Sequence, residues 1–153
     1  MTDPILNKWK QKGKLYLWKY KENTQNYPGW HLNANKEGVK TLLELFSLMK
    51  DANYSCDRTL IVDAPTQEVL SVPNNKNAAF RTVKKIQLKC FGLDHAEDNW
   101  SFILTDDKID FKFSKRKLDV LIKGIVDISE GNGDYALEID DKVNPIEYLW
   151  FWW

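Results

Sequence analysis

Hydrophobic and polar residues change period several times along the chain, and each change marks an element. Leu15 to Tyr20 is aliphatic and aromatic without a breaker, the composition of a strand. Asn26-Tyr27-Pro28-Gly29 supplies a turn, Pro28 presetting φ and Gly29 tolerating positive φ, and Trp30 to Ala34 follows as a strand that forms a hairpin with the first. The period then becomes helical: Val39, Leu42, Leu43, Phe46 and Met49 recur at spacings of three and four, with Asn35 placed as N-cap, Glu37 in the first turn and an end near Ala52. Arg58 to Val62 reads as a short strand, and Thr66 is placed to cap a turn or two of helix between Pro65 and Pro73. Val83 to Phe91 loosely alternates apolar residues with Lys84, Lys85, Gln87 and Lys89, as a half-exposed strand does.

Trp100 to Leu104 and Ile109 to Phe113 flank Thr105-Asp106-Asp107-Lys108 as a β-hairpin. Ser114 is placed to cap a second helix with a Leu118, Leu121, Ile122 and Ile125 stripe, stopping at Gly131-Asn132-Gly133, where left-handed φ is cheap. Tyr135 to Ile139 and Ile146 to Trp152 are the last strands. This order predicts the α+β class: a mostly antiparallel sheet with two main helices packed on one face. No repeat or Gly/Ser-rich linker divides the chain, so residues 1–153 are expected to form a single domain.

Composition narrows the function. A chain of 153 residues, 43% hydrophobic, buries roughly 70% of its unfolded surface and needs neither metal nor disulfide to fold. Lys and Arg number 22 against 22 Asp and Glu, and zero net charge argues against a nucleic-acid partner, whose phosphates call for surplus cations. The balance is uneven. Residues 1–50 hold nine basic and four acidic side chains and the remainder thirteen and eighteen, so the two ends are expected to lie near each other. The longest apolar run, Leu149 to Trp153, is far short of the roughly 20 residues of a membrane helix, so no membrane partner is expected. The start of the chain lacks a basic segment followed by an apolar run, which leads to a cytoplasmic expectation. Cys56 and Cys90 read as small buried thiols in a reducing compartment.

Motifs for phosphate loops, dinucleotide turns, nucleophile elbows and paired Cys-x-x-Cys are missing, and no cofactor, metal or catalytic residue is assigned. Asp94-His95-Ala96-Glu97-Asp98 is the most suggestive cluster, one imidazole and three carboxylates in five residues that fit either a divalent-cation site or a solvated acidic turn, and Asp106, Asp107 and Asp110 in the next hairpin extend the same negative surface. Asp94, His95, Glu97, Asp98, Asp106, Asp107 and Asp110 are therefore the expected contacts for a basic partner. Trp30, His31 and Trp100 are the alternative, as the lining of a small ligand pocket or enzyme site. Lys8 to Lys21 interleaves Lys with Trp9, Tyr16, Trp18 and Tyr20, a pattern that stacking single-strand binders also show and that a strand with one solvated Lys face shows more commonly. Ile146, Tyr148, Trp150 and Trp152 alternate with Leu149, Phe151 and Trp153, so the last strand is apolar on both faces. It is either a core strand or an aromatic seam for a partner or homodimer.

The run Tyr27-Pro28-Gly29-Trp30-His31-Leu32 with Ala34-Asn35, the helix with Leu42, Leu43 and Leu45, the Val72-Pro73-Asn74-Asn75 loop and the aromatic tail resemble small single-domain bacterial proteins of uncharacterised type. Some of these are immunity partners of polymorphic toxins. The resemblance implies a binding role without assigning residues to it. The expectation is a non-enzymatic cytosolic interaction protein, conceivably one that neutralises a toxin domain by covering it.

Overall fold

A computed structural model describes residues 4–21, 27–71, 73, 79–92 and 100–152. The described elements run α1 (Pro4–Lys8), β1 (Leu15–Tyr20), β2 (Trp30–Ala34), α2 (Lys36–Asp51), β3 (Cys56–Ile61), α3 (Gln67–Ser71), β4 (Phe80–Thr82), β5 (Lys85–Phe91), β6 (Trp100–Thr105), β7 (Lys108–Ser114), α4 (Leu118–Glu130), β8 (Tyr135–Ile139) and β9 (Glu147–Phe151). The class is α+β, but there are two sheets where the sequence pattern suggested one. Five strands are ordered β4-β1-β2-β9-β8 and four β3-β5-β7-β6. Pairing is mostly antiparallel, with β2 to β9 and β5 to β7 running parallel.

The elements form for the reasons their residues suggest, with three differences. The Asn35 side chain accepts from the Gly38 amide at the start of α2, and Gly131 ends α4 with φ 73°. Ser114 gives no capping hydrogen bond. A 3₁₀ turn, Lys115–Lys117, leads into α4 instead. The strand expected from Val83 is two: β4 joins the five-stranded sheet beside β1, and the chain crosses at Val83 and Lys84 to start β5 in the other sheet. The amides of Val62 and Lys84 close that crossing on the Lys84 and Asp107 carbonyls. The strand expected at Arg58 begins at Cys56.

One apolar core joins the inner faces of both sheets to α2 and α4, with Leu15, Leu17, Trp30, Leu32, Leu149 and Phe151 from the first sheet and Ile86, Leu88, Phe111 and Phe113 from the second. The outer face of the five-stranded sheet builds a second cluster from Tyr16, Trp18, Tyr20 and Trp152, against which Tyr27, Val69, Leu70, Phe80 and Trp150 pack. β9 is therefore an internal strand filled on both sides. Lys19 reaches Glu147 at 3.6 Å across the sheet, an ion pair between the basic start of the chain and its acidic end.

Gly124 fits α4 onto β9: a Cβ there would lie 2.6 Å from Cε1 and Cζ of Phe151, a ring with no exposed surface. Gly124→Ala is expected to destabilise the fold by about 1–3 kcal/mol, the range for overpacking a well-filled core, read as a lowered thermal midpoint with unchanged secondary structure. Gly29, at φ +88°, turns the chain into β2 where a side chain would collide with the Tyr148 backbone.

Candidate docking face

Alternation along β3, β5, β7 and β6 sends Leu60, Ile86, Leu88, Phe102, Ile109 and Phe111 inward and the intervening residues outward. No helix covers the outer face among the described residues, and the side chains of its three central rows are exposed or half-buried. Register arranges them in rows across the four strands. One row reads Ile61, Lys85, Lys108, Thr105; the next Thr59, Gln87, Asp110, Ile103; the third Asp57, Lys89, Lys112, Ser101. The parallel pairing of β5 with β7 thus sets Lys85 beside Lys108 and Lys89 beside Lys112. Lys108 reaches Asp110 at 3.6 Å, and the Lys89 ammonium lies 5.5 Å from the Phe91 ring centre. Ile61 and Ile103, 53% and 41% exposed, flank the lysines. The β3 edge is closed by Gln11, whose side chain accepts from the Ile61 amide at 2.8 Å and donates to its carbonyl at 2.9 Å.

This placement changes the meaning of the acidic hairpin. Asp110 lies on the lysine face, and Asp107, in the β6–β7 turn, is 3.9 Å from Lys84. Asp106, with φ 55°, offers its carbonyl to Arg81. These three acids are interleaved with cations and do not make a surface of one sign. Asp94, His95, Glu97 and Asp98 lie outside the described residues.

Trp30, His31 and Trp100 do not line one pocket. Adjacent strand residues point oppositely, so Trp30 enters the main core against Phe102 while His31 enters the aromatic cluster. Trp100 is buried in the second sheet under the Lys117 ammonium, 4.5 Å from its ring centre. His31 has no exposed surface. It stacks on Trp18, Trp150 and Trp152 with centroids 5.5, 5.9 and 6.0 Å away and meets the Tyr20 ring edge-on at 4.9 Å. Nδ1 accepts from Trp152 Nε1 at 2.8 Å, which leaves the ring proton on Nε2 to donate to the Tyr27 carbonyl at 3.3 Å. Burial lowers its pKa to about 4, against a smaller upward pull from the Tyr27 carbonyl. Both ring nitrogens are engaged within the fold, so this imidazole fastens β2 to the end of β9 and has no free nitrogen with which to handle a substrate proton.

An open groove of about 620 Å³ lies where Lys8, Trp9, Lys10 and Lys12 cross the flank of α2 at Glu37, Lys40, Thr41 and Glu44. Trp9 Nε1 donates to the Thr41 carbonyl in its floor. Among the described residues no three His, Cys, Asp or Glu side chains gather closely enough to hold a metal ion. The lysine rows leave almost no mark in the sequence because the strand pairing makes them. The one trace is the shared spacing of four, Lys85 to Lys89 and Lys108 to Lys112, which puts each pair on a single face of its strand.

No protein-family model matches the chain, and neither a curated protein nor a solved structure is significantly similar to it.

Proposed function

We propose that this chain is a non-enzymatic protein-interaction domain that docks an acidic surface of a partner on the outer face of the β3-β5-β7-β6 sheet. The observation that carries this reading is the juxtaposition of like charges, Lys85 with Lys108 and Lys89 with Lys112, on an exposed sheet face. Neighbouring strands are about 4.8 Å apart, and like charges facing each other across strands destabilise by roughly 0.2–1 kcal/mol a pair. Features that weaken a fold locally concentrate where function requires them. Carboxylates of a partner would relieve this repulsion, so the arrangement suits the complex better than the free domain, and cationic steering would speed encounter. Ile61 and Ile103 supply apolar contact beside the charges, the mixture of a docking surface. In a toxin-neutralising role the acidic surface would belong to the toxin, and the domain would act by covering it.

The test separates stability from binding. Lys85→Glu and Lys112→Glu each place an acid beside a remaining lysine, so each should raise the thermal midpoint slightly, by about 0.2–1 kcal/mol of stability. The double variant should bind a fluorescently labelled polyglutamate peptide at least tenfold more weakly at low salt, while Lys10→Glu with Lys12→Glu leaves the affinity unchanged. Equal loss in both double variants, or no loss from reversing Lys85 and Lys112, would overturn the reading.

A further inference from the structure

Cys56 and Cys90 are 34 positions apart in the chain, yet they face each other across the antiparallel β3–β5 pair. Both are free, and both are turned into the core. Directly opposed residues of an antiparallel ladder have Cα atoms about 4.5 or 5.5 Å apart, depending on their hydrogen-bonding position. Both spacings fall within the roughly 4.4–6.8 Å that a disulfide spans. We propose that Cys56 and Cys90 are a paired oxidation site, closed by hydrogen peroxide into an intrachain disulfide that staples the edge strand β3 to β5. Cys56 is the attacking sulfur: it retains 9% exposure where Cys90 has none. The Cys90 thiol beside it draws its pKa down, with further help from Lys115 and Arg58. Cys90 is pushed well above the usual thiol range by the same partnership and by burial, so it keeps its proton until Cys56 has reacted.

The chemistry balances in two steps. The Cys56 thiolate attacks one peroxide oxygen, the O–O bond breaks, and the sulfenic acid forms as the departing hydroxide takes up a proton and leaves as water. The Cys90 sulfur then attacks the sulfenic sulfur, the S–O bond breaks, and the Cys90 proton leaves with the hydroxyl as a second water. Two thiols are oxidised to one disulfide and one peroxide is reduced to two waters. The bond would lie one residue from the Asp57, Lys89, Lys112 row, fixing the strand order of the docking face without occupying it.

The experiment treats the reduced, folded full chain with hydrogen peroxide and follows intact mass, thiol count and a non-reducing peptide map. The expected result is loss of two hydrogens and both thiols, a Cys56–Cys90 linked peptide, a raised thermal midpoint from constraint of the unfolded chain, and reversal by dithiothreitol. Cys90→Ser should leave a Cys56 sulfenic acid that dimedone traps, and Cys56→Ser should react far more slowly. Thiols that resist peroxide in the folded protein, added oxygen without a link, or links only between chains would each overturn the proposal, and the wild-type experiment alone distinguishes them should either variant fail to fold.

Discussion

Ending the chain after Glu147 abolishes the cooperative fold. β9 pairs with β2 through Trp30 with Leu149, His31 with Trp150 and Leu32 with Phe151, and with β8 on its other side, so its removal splits the five-stranded sheet. Leu149 and Phe151 fill the main core, and Trp152 the aromatic cluster. The loss also orphans groups the strand satisfies: Asn33 Nδ2 donates to the Trp152 carbonyl at 2.6 Å, and His31 accepts from the Trp152 indole. Truncating one buried Leu, Phe or Trp side chain costs about 2–5 kcal/mol. Removing three of them costs about 6–15 kcal/mol, as much as the whole 5–15 kcal/mol by which a domain of ordinary stability is folded, before the lost central ladder is counted. Circular dichroism and tryptophan fluorescence of the truncated chain should show no cooperative thermal transition. A folded, monomeric truncated chain would instead make the last strand a dispensable seam between copies.

The second large effect is acid sensitivity from His31. Its folded pKa, about 4, lies below the value near 6.5 of an unfolded histidine. Above pH 6.5 the imidazole is neutral in both states and costs nothing. As pH falls from 6.5 towards 4 the unfolded chain binds a proton that the folded one refuses, so stability declines, by about 3 kcal/mol over the full window at 1.36 kcal/mol per unit. Below pH 4 the folded imidazole also protonates and this decline stops. Asp127 acts in a different window. Lys123 and the Tyr135 hydroxyl, each 2.7 Å from its Oδ2, hold its carboxyl below the usual range, so its stabilisation fades only as pH drops beneath that range. Urea unfolding at pH 7, 5.5 and 4.5 should show the falling stability, and His31→Gln, which keeps an acceptor for the Trp152 indole, should start lower and run nearly flat. A wild-type curve as flat as that of the variant would remove His31 as the cause.

The parts of the fold legible in the sequence are those whose signal is local. Leu15–Tyr20 and Trp30–Ala34 could be bounded because a turn with Pro28 and Gly29 separates two aromatic runs, and α2 because its apolar spacing begins at a capping Asn35. Val83 and Lys84 read as strand because their alternation continues that of β5. What sends the chain from one sheet to the other there is the docking of the Lys84 backbone against Val62 and Asp107, a contact between distant residues. Parallel pairing of β2 with β9, 119 positions away at Leu32 and Phe151, leaves no local trace either. The same limit governed the site. The acids of the β6–β7 hairpin stand out in sequence because they are adjacent, whereas Lys85 and Lys108 become neighbours only through register. Trp30 and His31 look like one site for the same reason, and the two-residue period of the strand sends them into different clusters.

Docking of acidic protein surface on the lysine rows of the β3-β5-β7-β6 sheet is open to direct observation. Titrating isotope-labelled protein with a polyglutamate peptide and following each backbone amide by NMR locates binding residue by residue. The expected shifts concentrate at Lys85–Phe91 and Lys108–Ser114 and fade as salt rises. Shifts centred on the groove between Lys8–Lys12 and α2, or spread evenly over every lysine of the surface, would contradict docking on that face.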